Sequence, residues 1–260
     1  MKLTRSRLRR LIKEYVEQEH ELFGPAVSYL MSNPNFLYNL TTRGQNILSW
    51  FSNNVGKRIG AGSTRTAFLI KDAPDMIIKV AIGFEPSDDT NQKAFKGAFH
   101  PWGIYGNKKE RELFNTSKFF PRVYAAAEDD SWLIHEKAVV IDDIDLKRQV
   151  LLNVFPSMRQ VLQVLKQNGL KEYLMDDLFD NYLQLGPLPF NDKPWWTKDK
   201  AVINEIGSAL SADKKLNHLR QLVVSLGIDD IDGVGNIGTN KQMNAFYIID
   251  IGLFPDHEKS

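Results

Sequence analysis

The sequence predicts an α+β protein built from two unequal lobes. Three observations carry that expectation. Short apolar or alternating runs cluster in residues 55–138, helical periodicity dominates residues 139–260, and a helical extension over residues 1–54 precedes both. The first lobe is expected to be a small antiparallel sheet with one helix, and the second to be mainly helical. A chain of 260 residues is long enough to give each a real core.

The first segment, "LTRSRLRRLIKEYVEQEHELFG", places Leu8, Leu11, Ile12, Tyr15 and Val16 at helical spacing, with Gly24 and Pro25 as a stop. Its charge opposes the helix dipole. Arg5, Arg7, Arg9 and Arg10 crowd the first turns, and Glu14, Glu17, Glu19 and Glu21 follow. Two readings stay open: a solvated amphipathic helix packed on the body, or a docking arm for an acidic protein or a nucleic acid. A second helical stretch, residues 25–52, carries Tyr29, Leu30, Phe36, Leu37, Ile47, Leu48 and Trp50 and is interrupted near Asn33 and Pro34.

From Val55 the texture changes to strands. "VGKRIGAGSTRTAFLIKD" and "DMIIKVAIG" are separated by Asp72, Ala73, Pro74 and Asp75, a turn signal. A polar loop runs through residues 87–90, and "GNKKERELFNTS" reads as a helix. "FFPRVYAAAED" and "SWLIHEKAVVI" read as a hairpin turning at Asp129 and Asp130. Helical runs then fill the chain from about Val150, and the end returns to loop and strand.

Composition narrows the classes of function. Hydrophobic residues make up 43% and charged residues 25%, an ordinary soluble profile. Lys plus Arg number 33 against 32 Asp plus Glu, so the overall charge favours neither a nucleic acid nor a membrane as partner. With no cysteine, disulfides and thiolate metal sites are excluded, and a reducing cytoplasm is the expected compartment. No apolar run approaches the roughly 18 residues that span a bilayer, so no membrane association is expected.

Four fragments carry chemistry. Gly60 and Gly62 lie between two strand-like runs and suit a hairpin whose backbone N–H groups can approach phosphate. In "MIIKVA", Lys79 alternates with Ile78 and Val80 and so points off the opposite face from them, toward water or an anion. The helix that follows offers Glu110 and Glu112 as anchors for it. Near the end, "DDIDGVGNIGTN" and "AFYIIDIGL" set Asn236 and Asp250 at the two ends of a hairpin. An amide oxygen and a carboxylate converging there suit Mg2+. Asp229, Asp230 and Asp232 lie upstream in the same loop, where one of them could accept a proton from an attacking hydroxyl.

In this order and spacing the fragments resemble the protein-kinase-like superfamily, which includes eukaryotic-type protein kinases and aminoglycoside-phosphotransferase-like kinases. The likeness spans residues 55–254. It implies a glycine-rich nucleotide loop at Gly60, Ala61, Gly62 and Ser63, a phosphate-holding lysine at Lys79, and a helix glutamate best matched by Glu110, from the phasing of "ERELF" against "FFPRVY". "WLIHEKA" resembles the strand leading to the adenine-binding hinge, which puts Glu136, Lys137 and Ala138 near the base. Asn236 matches the catalytic-loop asparagine, and Asp250, Ile251 and Gly252 match the metal-binding D-F-G triplet with Ile in place of Phe. ATP and Mg2+ are the implied cofactors, and the acceptor is a protein Ser/Thr or a small-molecule hydroxyl.

The sequence also departs from that pattern. Arg65 stands at the third glycine position of the loop. The catalytic aspartate of the family precedes the asparagine by five residues, a position held here by Ile231. Asp230 is preferred for the role, since Asp230-Ile231 resembles the Asp-Leu start of the family motif, and Asp232 competes with it. Only ten residues follow Asp250, which leaves the acceptor surface to residues 137–229 or to another molecule. These departures keep open a pseudokinase that works through partners, and the fold also accommodates AMP transfer. Trp195 and Trp196, beside Pro194, are read as core by default.

Overall fold

In the computed structural model the described residues are 23–40, 44–85, 93–186, 197, 199–228 and 236–249. The basic helix expected over residues 1–22, Trp195 and Trp196, the candidate bases Asp230 and Asp232, and Asp250 lie outside them. The architecture is α+β, and the chain divides into two compact units after Lys137. The first holds described residues 23–116 and 122–137, and the second holds 117–121 and 138–249.

The first unit is organised by an antiparallel five-stranded sheet in the order β1-β2-β3-β7-β6. The strands are β1 (Arg58–Ala61), β2 (Thr66–Ile70), β3 (Ala73–Val80), β6 (Val123–Ala126) and β7 (Trp132–Glu136). A two-residue pair, β4 (Phe84–Glu85) with β5 (Lys93–Ala94), stands beside it. The strand of Lys79 begins at Ala73, so the turn before it is tighter than the Asp72–Asp75 signal suggests. Pro74 is tolerated there because it sits at the strand's start, where a missing N–H costs little.

Register fixes what each face of the sheet carries. Phe68 pairs with Ile78 and Ile78 with Ile134, so these three side chains share one face. Three helices, α1 (Gly24–Ser32), α2 (Phe36–Asn39) and α3 (Gly44–Asn54), cover that face. Val27, Leu30, Leu37, Ile47 and Phe51 join Phe68, Ile70, Ile78 and Ile134 in a single core, with Phe51 stacked on Phe68 at 5.4 Å between centroids. The helical stretch before residue 55 is therefore part of the first unit's core. Each such large side chain taken from water contributes about 1.5–3 kcal/mol.

The opposite face carries Lys79, paired with Leu133, and His135, paired with Ile77. Helix α4 (Pro101–Leu113) lies on that side. It starts a turn and more before the "GNKKEREL" run that signals it in sequence. His100 caps it by accepting the Trp102 N–H, and Pro101 supplies a φ preset for the first helical turn.

The second unit is mainly helical. It contains α5 (Ile144–Val154), α6 (Pro156–Gln167), α7 (Leu174–Leu185), α8 (Lys200–Ala212) and α9 (Lys214–Leu226). Asp143, Asp199 and Asp213 cap α5, α8 and α9, and Gly227 closes α9 in the left-handed region. Phe155, Phe179 and Phe246 form a mutually packed aromatic trio at its centre. Beside the helices, β8 (Val139–Val140), β9 (Ile237–Thr239) and β10 (Tyr247–Ile248) form a small sheet in the order β10-β9-β8. No helix among the described residues is long and apolar enough to cross a membrane.

Candidate functional site

The candidate site of the first unit is a charge cluster on the α4 side of the sheet. Lys79 projects from β3 and donates to both carboxylate oxygens of Glu110, at 2.8 and 2.9 Å. Glu110 sits on the buried side of α4 and is only 2% exposed, whereas Lys79 is 13% exposed. Glu112, the other acidic candidate on that helix, is 47% exposed and pairs loosely with Lys109 at 3.8 Å. The Lys79 ammonium also lies over the Phe114 ring at 5.9 Å, a favourable placement for a cation.

Arg65 is the member that sequence reasoning missed. Its Nη1 donates to Glu110 Oε1 at 2.6 Å, so one buried carboxylate serves two cations, one from β3 and one from the β1–β2 turn. Nothing local signals this contact, because 45 residues separate the partners. Burial alone would push the Glu110 carboxyl upward. Arg65 and Lys79 outweigh it and hold the pKa at about 2, so the group is ionised at every working pH.

His135 completes the cluster from β7. Its Nδ1 donates to the Glu136 carbonyl at 2.7 Å, which makes Nδ1 the protonated nitrogen and leaves Nε2 buried without a hydrogen-bond partner among the described residues. Burial, reinforced by the nearby Lys79 charge, lowers its pKa to about 3 and keeps the ring neutral. Phe114 meets it edge-on at 5.6 Å.

Helix α4 is tied to the sheet beyond Glu110. The Asn107 amide donates to the Asp130 carbonyl at 2.9 Å, and Arg111 bridges the Asp130 carboxylate at 3.0 Å. Asp130 holds a left-handed backbone (φ 59°) in the β6–β7 turn, a conformation Asp tolerates better than most residues. These ties fix the helix's position, and with it the reach of Glu110 to Lys79.

The glycine-rich stretch is the β1–β2 hairpin. Gly62 N–H donates to the Arg65 carbonyl at 2.8 Å, and β1 pairs with β2 across the turn. A Cβ at Gly60 would meet nothing within 4 Å, so the space beside this exposed strand end is open. Of the hinge candidates, Glu136 N–H is committed to the Arg122 carbonyl and Lys137 N–H to the Asp75 carbonyl, both at 2.8 Å.

In the second unit, Asn236 immediately precedes β9. Its carbonyl accepts the Ile249 N–H at 2.8 Å, so the β9–β10 ladder sets Asn236 opposite the residue before Asp250. The donor types at these two positions, an amide and a carboxylate, are hard oxygen ligands of the kind Mg2+ prefers. Among the described residues, no group of three or more His, Cys, Asp or Glu gathers to hold a metal ion.

The chain matches no family model, no curated protein and no solved structure.

Proposed function

We propose that this chain is a kinase-like phosphotransferase, with the first unit as the β-rich lobe of a protein-kinase-like fold and the second as its helical lobe. The reaction is ATP- and Mg2+-dependent transfer of a γ-phosphoryl group to a hydroxyl of a protein Ser/Thr or of a small molecule. One observation carries the reading. A lysine on the central antiparallel strand, 17 residues after the hairpin's Gly62, is gripped through both oxygens by a buried glutamate on the helix behind it. An anchored, aimed lysine of this kind is what holding nucleotide phosphates requires.

Bound ATP and Mg2+ would supply the transferable group and neutralise its charge. In this reading Glu110 keeps Lys79 charged and aimed, and Lys79 holds the α and β phosphates. Gly60, Gly62 and Ser63 line the phosphates, and Glu136 and Ala138 lie near the base. The Glu136 and Lys137 N–H groups are already bonded, so neither is open to donate to adenine. Asn236 and Asp250 hold the metal, and Asp230, or Asp232 in its place, takes the acceptor's proton.

A second reading, a nucleotide-binding module that works through a partner, is favoured by Arg65. It replaces a loop glycine and shares the glutamate with the lysine. Incubation with γ-labelled ATP, Mg2+ and a cell extract, with protein and small-molecule fractions followed separately, separates the two. The kinase reading expects label in one fraction and a loss of at least about a hundredfold in Lys79→Met, since transfer rests on this anchor. Label only from α-labelled ATP would point to AMP transfer. No transfer by the wild type, together with thermal stabilisation by ATP and Mg2+, would establish the binding module instead.

A further inference from the structure

Lys79 contacts both oxygens of Glu110, and Arg65 brings a second charge to the same carboxylate. Arg65 also adds a mechanical connection, because it belongs to the hairpin turn while Glu110 belongs to α4. The rest of the turn touches both the segment that follows β3 and the helix itself. Gly62 accepts the Phe84 N–H at 3.0 Å. A Cβ at Gly83 would lie 1.9 Å from the Ser63 carbonyl oxygen, and one at Gly103 would lie 2.3 Å from the Thr64 carbonyl oxygen. Farther along α4, the Arg65 guanidinium passes over Gly106, where a Cβ would sit 3.2 Å from its Cζ. Gly103, Gly106 and Glu110 follow one another along a single side of the helix, and the turn and its arginine lie along that track.

We propose that Arg65 is a positioning residue that latches the glycine-rich turn onto helix α4, so that the turn is shaped before any ligand arrives. Fixing a residue's backbone costs conformational entropy, and a turn already ordered spares a ligand that cost for each residue it contacts. The latch holds across the ordinary pH range, because Arg65 is always protonated and Glu110 titrates only at about 2. Its use for phosphate binding rests on the kinase-like reading; the latch itself does not.

Residue-resolved amide hydrogen exchange on the full chain tests it, with Gly62 and Phe84 as reporters and Ile78 and Ile134 as core references. Arg65→Met should speed exchange at Gly62 and Phe84 by about tenfold or more and leave the two references unchanged. Arg65→Lys should recover part of the protection. Gly103→Ala, which leaves every charge in place, should speed the same two amides by displacing the Thr64 carbonyl. Unchanged reporters in Arg65→Met, or acceleration of reporters and references alike, would overturn the latch. Titration with ATP and Mg2+ on the same proteins then expects affinity about five- to tenfold weaker in Arg65→Met. If the wild type binds no ATP while the exchange pattern holds, the nucleotide reading falls and the latch stands.

Discussion

Two buried carboxylates, one in each unit, show opposite electrostatic solutions. Glu110 is engaged by Lys79 and Arg65, and their charge outweighs desolvation so that its pKa falls to about 2. Asp176, on α7 and 5% exposed, receives one hydrogen bond from Arg148 Nη2 at 3.0 Å. Its burial outweighs Arg148 and Lys147, and its pKa is raised. Asp176 Oδ1 and Arg148 Nε are both buried without a hydrogen-bond partner among the described residues, so the second pair is half satisfied. Glu110 is over-compensated and therefore held as a fixed charge. Asp176 joins α5 to α7 at little or no electrostatic gain, as buried pairs with imperfect partners do.

The largest effect expected from this contrast is at Glu110. Glu110→Gln keeps the side chain's shape but withdraws the negative charge from Lys79 and Arg65. Chemical denaturation should report a loss of about 3 kcal/mol at neutral pH. A loss below about 1 kcal/mol would mean that the cluster is not held by its carboxylate.

The pH response of the first unit comes next. His135 is lowered from 6.5 to about 3, so the unfolded chain binds the proton more readily. Its contribution is full above 6.5 and falls as the pH drops through that window, by about 1 kcal/mol between pH 6.5 and 5.5. Glu110 is lowered from 4.5 to about 2, and its contribution is lost in the same direction but only below 4.5. Urea midpoints at pH 6.5 and 5.5 should therefore differ in the wild type and draw much closer in His135→Leu, where His100, also lowered by burial, keeps a smaller share. An undiminished difference in that variant would assign the acid sensitivity elsewhere.

Asp176 has the opposite sign and the smallest effect. Its raised pKa means that the folded chain holds the proton longer, so its contribution declines as pH rises past the ordinary value of 3.8. Asp176→Asn retains an acceptor for Arg148 and removes the buried charge. Stability near neutral pH should change by less than about 1 kcal/mol in either direction. A loss comparable to that of Glu110→Gln would erase the distinction between the two sites.

The parts of this picture that were legible in sequence are those set by short-range periodicity. Alternation along "MIIKVA" put Lys79 on the opposite face from Ile78 and Val80, which are fully buried. Periodicity left Glu110 and Glu112 both open as anchors; the preference for Glu110 rests on the resemblance, and Glu110 is the buried one of the two. Contacts that close over long stretches of chain left no local trace. Arg65 was visible only as a replaced glycine. The pairing of Val139 with Thr239 spans most of the second unit, and nothing in "EKAVVI" announces it. The apolar spacing of residues 25–52 indicated helices, but which sheet face they cover depends on the register of strands that come later. The first turn of α4 was missed because Gly103 weakens the helical signal where the turn packs against it.

The proposed function depends on the Lys79–Glu110 pair being a grip for nucleotide phosphates. Isothermal titration with ATP and Mg2+ tests it most directly, on the wild type and on Lys79→Met with matched folding by circular dichroism. The account predicts measurable binding to the wild type and affinity at least about tenfold weaker in Lys79→Met, about 1.4 kcal/mol or more. Equal affinity in the two proteins, or no binding to a folded wild type, would contradict it.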